Sequence, residues 1–554
     1  MTGREQTEIE RKYDVPDLSR IPRFADVDAV DTVSSHDPVT LTAVYYDTDT
    51  HDLARRRIVL RRREGGGDAG WHIKLPASEG RTELHWPLDL ADGTGVPAGV
   101  LEPVRAIVRD RPLSPLARIT TVRTPIRLHG ADGGALAEVA DDVVSASDAR
   151  GGTYRKWREW EVELLDGAPD TRSKRTRLLD AIEKSVLAAG ARPSASAAKI
   201  ARALGVDSLT DVVSPPLVPG LLPAPALTDP ESVAVIVVGA LRELTDELLR
   251  TDPLARADAD DAIHRMRTTG RRLGSVLAVY ARLFEKTAVA ELRFELKHLG
   301  AELGSARTAE VRGRRASAGL GGVTHPNADA EVRLVGGARL DYADGLERAR
   351  GYLLSTRYYR LLDALDAFVG WPPLTAKAAK PAAAEIARDL GKAIEAALRE
   401  TDRVADADDP EAALHSVRRA VRRLRYAAEA VALAEPVAAP TPTAPTKKVA
   451  KKARKKAAAK RALAASRFAK RRRRYTELGA VAKPLVKGLG ARRDRLLYIT
   501  ELEQAAQAAH EAGENTLLYG LLMARAEDLD DTVAVVLADT RRSMRRLERL
   551  GRTL

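Results

Sequence analysis

The 554-residue chain contains no cysteine, which excludes a disulfide framework, thiolate zinc sites and cysteine nucleophiles, and agrees with a reducing compartment. The opening residues, MTGREQTEIERK, lack the apolar run of an export signal. The longest uncharged stretch, Val212–Thr228, holds five prolines and cannot be a membrane helix. The expectation is a cytoplasmic chain. No GxxxxGK[ST], HExxH or GxSxG element is present, which sets aside P-loop, zinc-protease and serine-hydrolase chemistry. Gly65-Gly66-Gly67-Asp68-Ala69-Gly70 does satisfy GxGxxG, but an alternating strand pattern ended by Pro76 follows it. With no helix N-terminus to receive a pyrophosphate, the stretch reads as a hairpin loop.

Acid is missing from one segment. Residues 447–474 carry fifteen Lys or Arg and no Asp or Glu, leaving 75 bases against 78 acids in the rest of a chain whose formal charge is +12. The body is therefore about neutral and the basicity is local. The segment, KKVAKKARKKAAAKRALAASRFAKRRRR, lacks a periodic apolar face. It is expected to be a solvated disordered loop, offering a polycation to polyphosphate or, without base specificity, to nucleic acid.

At roughly 150 residues per domain the length implies about three or four domains, and the pattern changes character twice. Residues 5–165 alternate with period two in segments such as Thr7–Tyr13, Arg57–Arg63, Trp71–Leu75, Arg81–Trp86, Leu136–Val139 and Trp157–Leu164, with one plausible helix near Pro103–Arg111. Short strands without βαβ spacing predict an antiparallel sheet or barrel. Thr171–Leu204 reads as helix, a Pro-rich linker occupies 204–230, and from 231 the leucine spacing is helical to the end.

The helical half repeats itself. Residues 262–273, AIHRMRTTGRRL, match 413–424, ALHSVRRAVRRL, at an offset of 151, and Leu303-Gly304-Ser305-Ala306-Arg307 matches Leu489-Gly490-Ala491-Arg492-Arg493 at 186. The basic low-complexity insert, at about 437–474, accounts for the difference. Two homologous helix bundles are expected. In each copy a histidine and two arginines lie three and seven residues apart on one helix side: His264, Arg267 and Arg271, then His415, Arg418 and Arg422, with Arg272, Arg423 and Arg425 beside them. An exposed charged stripe would explain one copy. Its repetition points to a shared anion-binding surface.

In the strand half, alternate side chains share a face. Glu8, Glu10 and Lys12 align on one strand, Glu159, Glu161 and Glu163 on another, Arg57, Arg61 and Arg63 on a third, and His72 with Lys74 on a fourth. A charged face turned to water explains any one strand. Two acid ladders and two basic ladders together suit a different arrangement, with carboxylates holding a hard divalent cation and Arg or Lys holding phosphate oxygens.

Glu8-Ile9-Glu10-Arg11-Lys12 is an ExExK motif. It is followed in order by Tyr45-Tyr46-Asp47-Thr48, Leu60-Arg61-Arg62-Arg63, Lys74-Leu75-Pro76, Arg123, Glu138 with Asp141-Asp142, and Trp160-Glu161-Val162-Glu163-Leu164. Over residues 5–203 this resembles the CYTH superfamily of triphosphate tunnel metalloenzymes. The helical half, 231–550, resembles the CHAD (conserved histidine α-helical) domain. The resemblance implies an α+β multidomain protein: an N-terminal antiparallel eight-stranded β tunnel barrel, then an all-α domain of two repeated helix bundles. It further implies Mg²⁺ or Mn²⁺ on Glu8, Glu10, Glu161 and Glu163, with Glu138 as a further candidate, and phosphate on Lys12, Arg61, Arg63, Lys74 and Arg123. Glu8, Glu10 and Lys12 are the expected catalytic set. Polyphosphate is expected on the helical surface, and association with polyphosphate granules follows. The reaction expected is hydrolysis of a triphosphate; ATP cyclisation and non-catalytic polyphosphate binding are the alternatives. Thr308 stands where the first LGxxR element should be followed by Asp, as Asp494 follows the second.

Overall fold

A computed structural model describes residues 3–554 apart from 91–94, 197, 207–226, 228, 230, 323–327, 435–446 and 528–531, and leaves the side chains of 90 and 447–470 undescribed. The chain forms two units, Met1–Pro219 and Gly220–Leu554. Most of the Pro-rich linker and the start of the basic insert lie outside the described residues.

The first unit is built on one antiparallel sheet of eleven strands: β1 Arg4–Glu8, β2 Glu10–Asp14, β3 Thr32–Ser35, β4 Val39–Asp47, β5 Val59–Glu64, β6 Gly70–Pro76, β7 Arg81–Trp86, β8 Ser114–His129, β9 Ala135–Asp148, β10 Tyr154–Leu164 and β11 Arg192–Pro193. The pairing order is β1-β7-β6-β5-β4-β8-β9-β10-β2-β11, with β3 on β8. Eight strands were expected, and the higher count has a simple origin. The opening strand breaks at Ile9, so its first half pairs with β7 and its second with β10, while β3 and β11 are short additions of four and two residues. Strands at opposite ends of the pairing order, β1 and β2, are thus joined through a single residue, and the sheet curls. Arg57, expected on the β5 face with Arg61 and Arg63, instead precedes the strand in a left-handed turn at φ 59°.

The alternation works as the pattern required. Trp71 and Ile73 are buried on the outer side of β6 with Leu60, Trp86 and Val104, and Lys74 points the other way, into the curl. Helix α1 (Arg172–Ala188) covers β2, β9 and β10, burying Leu178, Leu179, Ile182 and Val186 against Tyr13, Trp160 and Val162. The expected helix over Thr171–Leu204 is interrupted by β11, and a second short helix, α2 (Lys199–Ala203), follows. Its Ile200 packs among Ala43, Tyr45, Val59 and Ile119.

The second unit is helical. Helix α3 (Val233–Arg256) is buried along much of its length. It contacts α4 (Ala262–Val279), which packs on α5 (Lys286–Glu302); α6 (Gly304–Leu320), α7 (Gly337–Leu353) and α8 (Thr356–Gly370) follow. The second half comprises α9 (Ala382–Asp402), α10 (Pro410–Leu433), α11 (Lys447–Glu511), α12 (Leu517–Glu527) and α13 (Val533–Gly551). Both histidine motifs are helical, on α4 and α10, and those two helices pack on each other. The basic segment departs from expectation. From Lys447 it is helix, continuous with the packed part of the 65-residue α11. Ala, Lys and Arg are strong helix formers, and the segment runs into a turn anchored by buried Tyr475 and Leu478, so nucleation is already provided.

Candidate active site and anion surface

A cavity of about 160 Å³ lies inside the curl of the sheet, and its lining carries six acids and seven bases. They are not mixed at random. Glu8 on β1, Glu10 on β2, and Glu161 and Glu163 on β10 come from adjoining segments and make an acidic wall. Arg61 and Arg63 on β5, Lys74 on β6 and Arg123 on β8 make the basic side. Lys12 sits within the acidic wall, 2.8 Å from Glu10 and also paired with Glu161. The sequence-predicted set of Glu8, Glu10, Lys12, Arg61, Arg63, Lys74, Arg123, Glu161 and Glu163 therefore lines one cavity. Glu138 is absent from the lining. It stands across from Glu163 in the ladder and pairs with half-exposed Arg127 at 3.2 Å.

Asp142, rather than Asp141, faces inward. Arg123 grips it with two hydrogen bonds, 2.8 and 2.7 Å, and reaches Glu161 at 2.6 Å. Asp141 faces outward, held by Arg158 and by the Trp160 indole. Asp142, Glu159 and Glu161 offer oxygens within 4.8 Å of one another, a spacing fit for one cation. The ammonium of Lys199, delivered by α2, already stands there, at 2.8, 2.8 and 2.6 Å from the three carboxylates. Sequence reasoning missed Lys199 because nothing in SAAKIARA marks a lysine that enters the sheet from a helix. It also missed Glu83, which the alternation Arg81–Glu83–His85 on β7 does signal. Glu83 accepts from Arg61, forms an ion pair with Lys74 at 3.8 Å and contacts His72 Nδ1 at 2.9 Å.

The acids fall into two electrostatic classes. Burial opposes the ionisation of Glu161, but Lys12, Lys199 and Arg123 outweigh it and hold its carboxyl well below the usual range. Asp142 is lowered in the same way, with Lys199 and Arg123 overcoming burial. Burial also opposes Glu10, and Lys12 wins. Glu8 goes the other way: burial pushes it up to about 7 despite Lys74 at 2.6 Å, with Glu83 and Glu163 adding to the rise. Glu163 is likewise raised by burial and by Glu10 and Glu161. The triad around Lys199 is thus neutralised, and Glu10 is compensated by Lys12, whereas Glu8 and Glu163 carry more carboxylate than the neighbouring bases compensate.

In the helical unit, α4 and α10 bring the two histidine motifs together. Arg271 and Arg422 are each driven down to about 10, first by burial and then by neighbouring guanidiniums, Arg267 for the first and Arg271 for the second. Arg267 is lowered by burial and by Arg422, Arg307, Arg418 and Arg493, so the LGxxR arginines join the cluster. Among the described residues, Arg267, Arg271, Arg418 and Arg422 form no ion pair. Burial and Arg493 push His415 down to about 4, and burial with Arg307 lowers His264. Arg272 and Arg425 turn to acids, Glu247 at 3.2 Å and Glu429 at 2.7 Å, and Arg423 is exposed near Arg293. These three stand outside the cluster.

The sequence matches the CYTH domain over residues 6–188 and the CHAD domain over residues 239–457. Uncharacterised proteins of two Mycobacterium tuberculosis strains are 38% identical over 540 residues, covering 94% of this chain and 93% of theirs. The chain belongs to this family, with a CYTH domain followed by a CHAD domain. Among solved structures it is similar to the CHAD domain from Ricinus communis, with 21% identity, a TM-score of 0.38, and coverage of 56% of this chain and 92% of that one. It is also similar to HpAC1 from Hippeastrum, whose description reports a dominant triphosphatase activity, with 19% identity, a TM-score of 0.24, and coverage of 36% and 95%. No described helix is long and apolar enough to cross a membrane.

Proposed function

We propose that the first unit, over residues 5–203, hydrolyses a phosphoanhydride bond of a triphosphate with a divalent cation, and that residues 231–550 bind inorganic polyphosphate. The observation that carries the first half is a single cavity lined by Glu8, Glu10 and Glu163, of which Glu8 and Glu163 are under-compensated, together with Arg61, Arg63, Lys74 and Arg123. The donor chemistry fits a divalent cation, since the three acids line one cavity with carboxylate oxygens and two of them, Glu8 and Glu163, are held back from ionising for want of positive charge. Mg²⁺ or Mn²⁺ on Glu8, Glu10 and Glu163, with Glu161 beside them, would supply charge neutralisation and an activated water.

The chain's own part is positioning. Arg61, Arg63, Lys74 and Arg123 hold the phosphate oxygens, and Lys12 keeps Glu10 ionised while presenting its ammonium to the same space. Charge that develops on transferring phosphoryl oxygens is then met by fixed cations in a confined cavity. Water adds to the terminal phosphorus, the bridging bond breaks, and diphosphate and phosphate leave. The test is phosphate release from inorganic triphosphate and from ATP by the full chain with Mg²⁺ or Mn²⁺. Release of phosphate is expected. Cyclic AMP and diphosphate from ATP would replace hydrolysis with cyclisation, and tight binding without turnover would leave a binding protein.

Supporting the second half are the four half-buried guanidiniums of α4 and α10, which form no ion pair among the described residues, Arg418 standing near Asp494, and so suit phosphate oxygens. The basic part of α11 is proposed as an auxiliary polycation for polyphosphate or, non-specifically, nucleic acid. Retention at polyphosphate granules would follow, and imaging of the chain in polyphosphate-free cells tests it.

A further inference from the structure

The glycine-rich hairpin between β5 and β6 has a task in the cavity. Its Asp68 is a lining residue and forms an ion pair with Arg63, although 59% of the Asp68 side chain is exposed. The loop conformation is fixed. Gly65 and Gly66 take φ of 84° and 75°, and a Cβ on Gly65 would stand 2.2 Å from the Thr40 carbonyl oxygen. The loop is also tied from behind: His72 Nε2 lies 3.0 Å from the Asp68 carbonyl oxygen, which can only accept, while its Nδ1 contacts Glu83 at 2.9 Å. Asp68 is therefore held at the mouth, with its carboxylate on a guanidinium that is itself 8% exposed.

We propose that Asp68 is a resident competitor for the phosphate site: its carboxylate occupies Arg63 in the free protein, and the triphosphate must displace it to bind. The inference rests on the proposed triphosphate reading of the cavity. A carboxylate and a phosphate oxygen present similar acceptors to a guanidinium fork. Arg63 stands near Arg61, with Arg123 also contributing like charge, so an acid there relieves repulsion when no substrate is bound and costs affinity when one is. Exposed on its far side, Asp68 can swing into water at little cost. Such a device weakens capture of every anion. It favours the one with enough charge to engage Arg63 together with the deeper Arg61, Lys74 and Arg123.

Binding of inorganic triphosphate to the full chain, measured calorimetrically without divalent cation, tests this directly. Asp68→Asn should tighten the Kd about tenfold, the scale of one charge-assisted contact, while Arg63→Gln with Asp68→Asn should gain nothing over Arg63→Gln alone. In turnover, Asp68→Asn should lower KM without raising kcat. An unchanged or weaker Kd for Asp68→Asn, in a variant whose melting temperature matches the wild type, overturns the competitor. If the wild type itself binds no triphosphate, the reading of the cavity fails and the inference falls with it. If the wild type binds and Asp68→Asn binds equally, the inference alone is wrong.

Discussion

The guanidinium of Arg418 lies across Gly490: a Cβ there would stand 2.9 Å from one terminal nitrogen and 3.1 Å from Nε. The first copy is looser, with a Cβ on Gly304 at 3.4 Å from Arg267. The Leu-Gly elements therefore belong to the same devices as the histidine helices, each glycine leaving room for an arginine. Gly490→Ala should push Arg418 aside and weaken polyphosphate binding about threefold or more, whereas Gly304→Ala should change it less than twofold. Titrations of a long polyphosphate chain on both variants check this. Equal effects would remove the steric account.

Glu8→Ala with Glu10→Ala should abolish cation-dependent phosphate release, by about a hundredfold or more. Because both side chains face the cavity rather than the outer core, far-ultraviolet circular dichroism should be unchanged. Near-wild-type turnover in the double variant would show that the acidic wall does not carry the chemistry.

Lys199→Ala removes the ammonium from three buried carboxylates, and breaking such a pair costs about 3–5 kcal/mol. In the wild type Asp142 and Glu161 are held down in the folded state. Their contribution is thus present above the ordinary carboxylate range and lost as pH falls through the folded values. In the variant the sign reverses, so melting should fall most at neutral pH and recover on acidification. Added Mn²⁺ or Ca²⁺ should raise the melting temperature of the variant more than that of the wild type. No cation response would show that the triad cannot take an ion.

His415, lowered to about 4, is neutral at pH 7. A bound polyanion offsets the arginines that depress it and raises its pKa, so binding takes up a proton once pH nears the bound value. Affinity should rise as pH drops from 7 to 5, with proton uptake visible as a buffer-dependent heat of binding. His415→Gln should flatten that pH profile. For folding alone the sign is opposite: a depressed histidine costs stability as pH falls below its unfolded value near 6.5.

Arg267→Glu with Arg418→Glu should weaken polyphosphate binding more than deletion of residues 447–474, because the cluster arginines are already ordered. The deletion should chiefly flatten the dependence on salt. If the deletion removes most of the affinity near physiological salt, the polycation is the binding site.

The ladders were legible because period two and charge sign survive in one strand: Glu8 with Glu10, Arg61 with Arg63, and Glu161 with Glu163 could be grouped before any pairing was known. Which base takes each acid was not legible, so Glu138 looked equivalent to Glu163, its partner in the ladder, although its carboxylate is taken by Arg127. Asp141 and Asp142 could not be separated until β9 had a register against Arg123 and Trp160. Lys199 was hidden for another reason. It arrives from a helix distant in sequence, and helical period says nothing about what a lysine touches inside a sheet. The helix over 447–474 was missed because an apolar face was required where alanine and lysine propensity sufficed.

The break at Ile9 has a consequence for assembly. The segment Arg4–Asp14 must pair with Arg81–Trp86 on one side and Glu159–Glu163 on the other. The second partner, Glu159–Glu163, lies far along the chain from Glu10–Asp14, and such long-range pairing is slow. Until then Glu8 and Glu10 have no Glu163 beside them. Emergence of metal affinity during refolding would therefore time the closing step, and a cation present early would have no complete site to trap an open sheet.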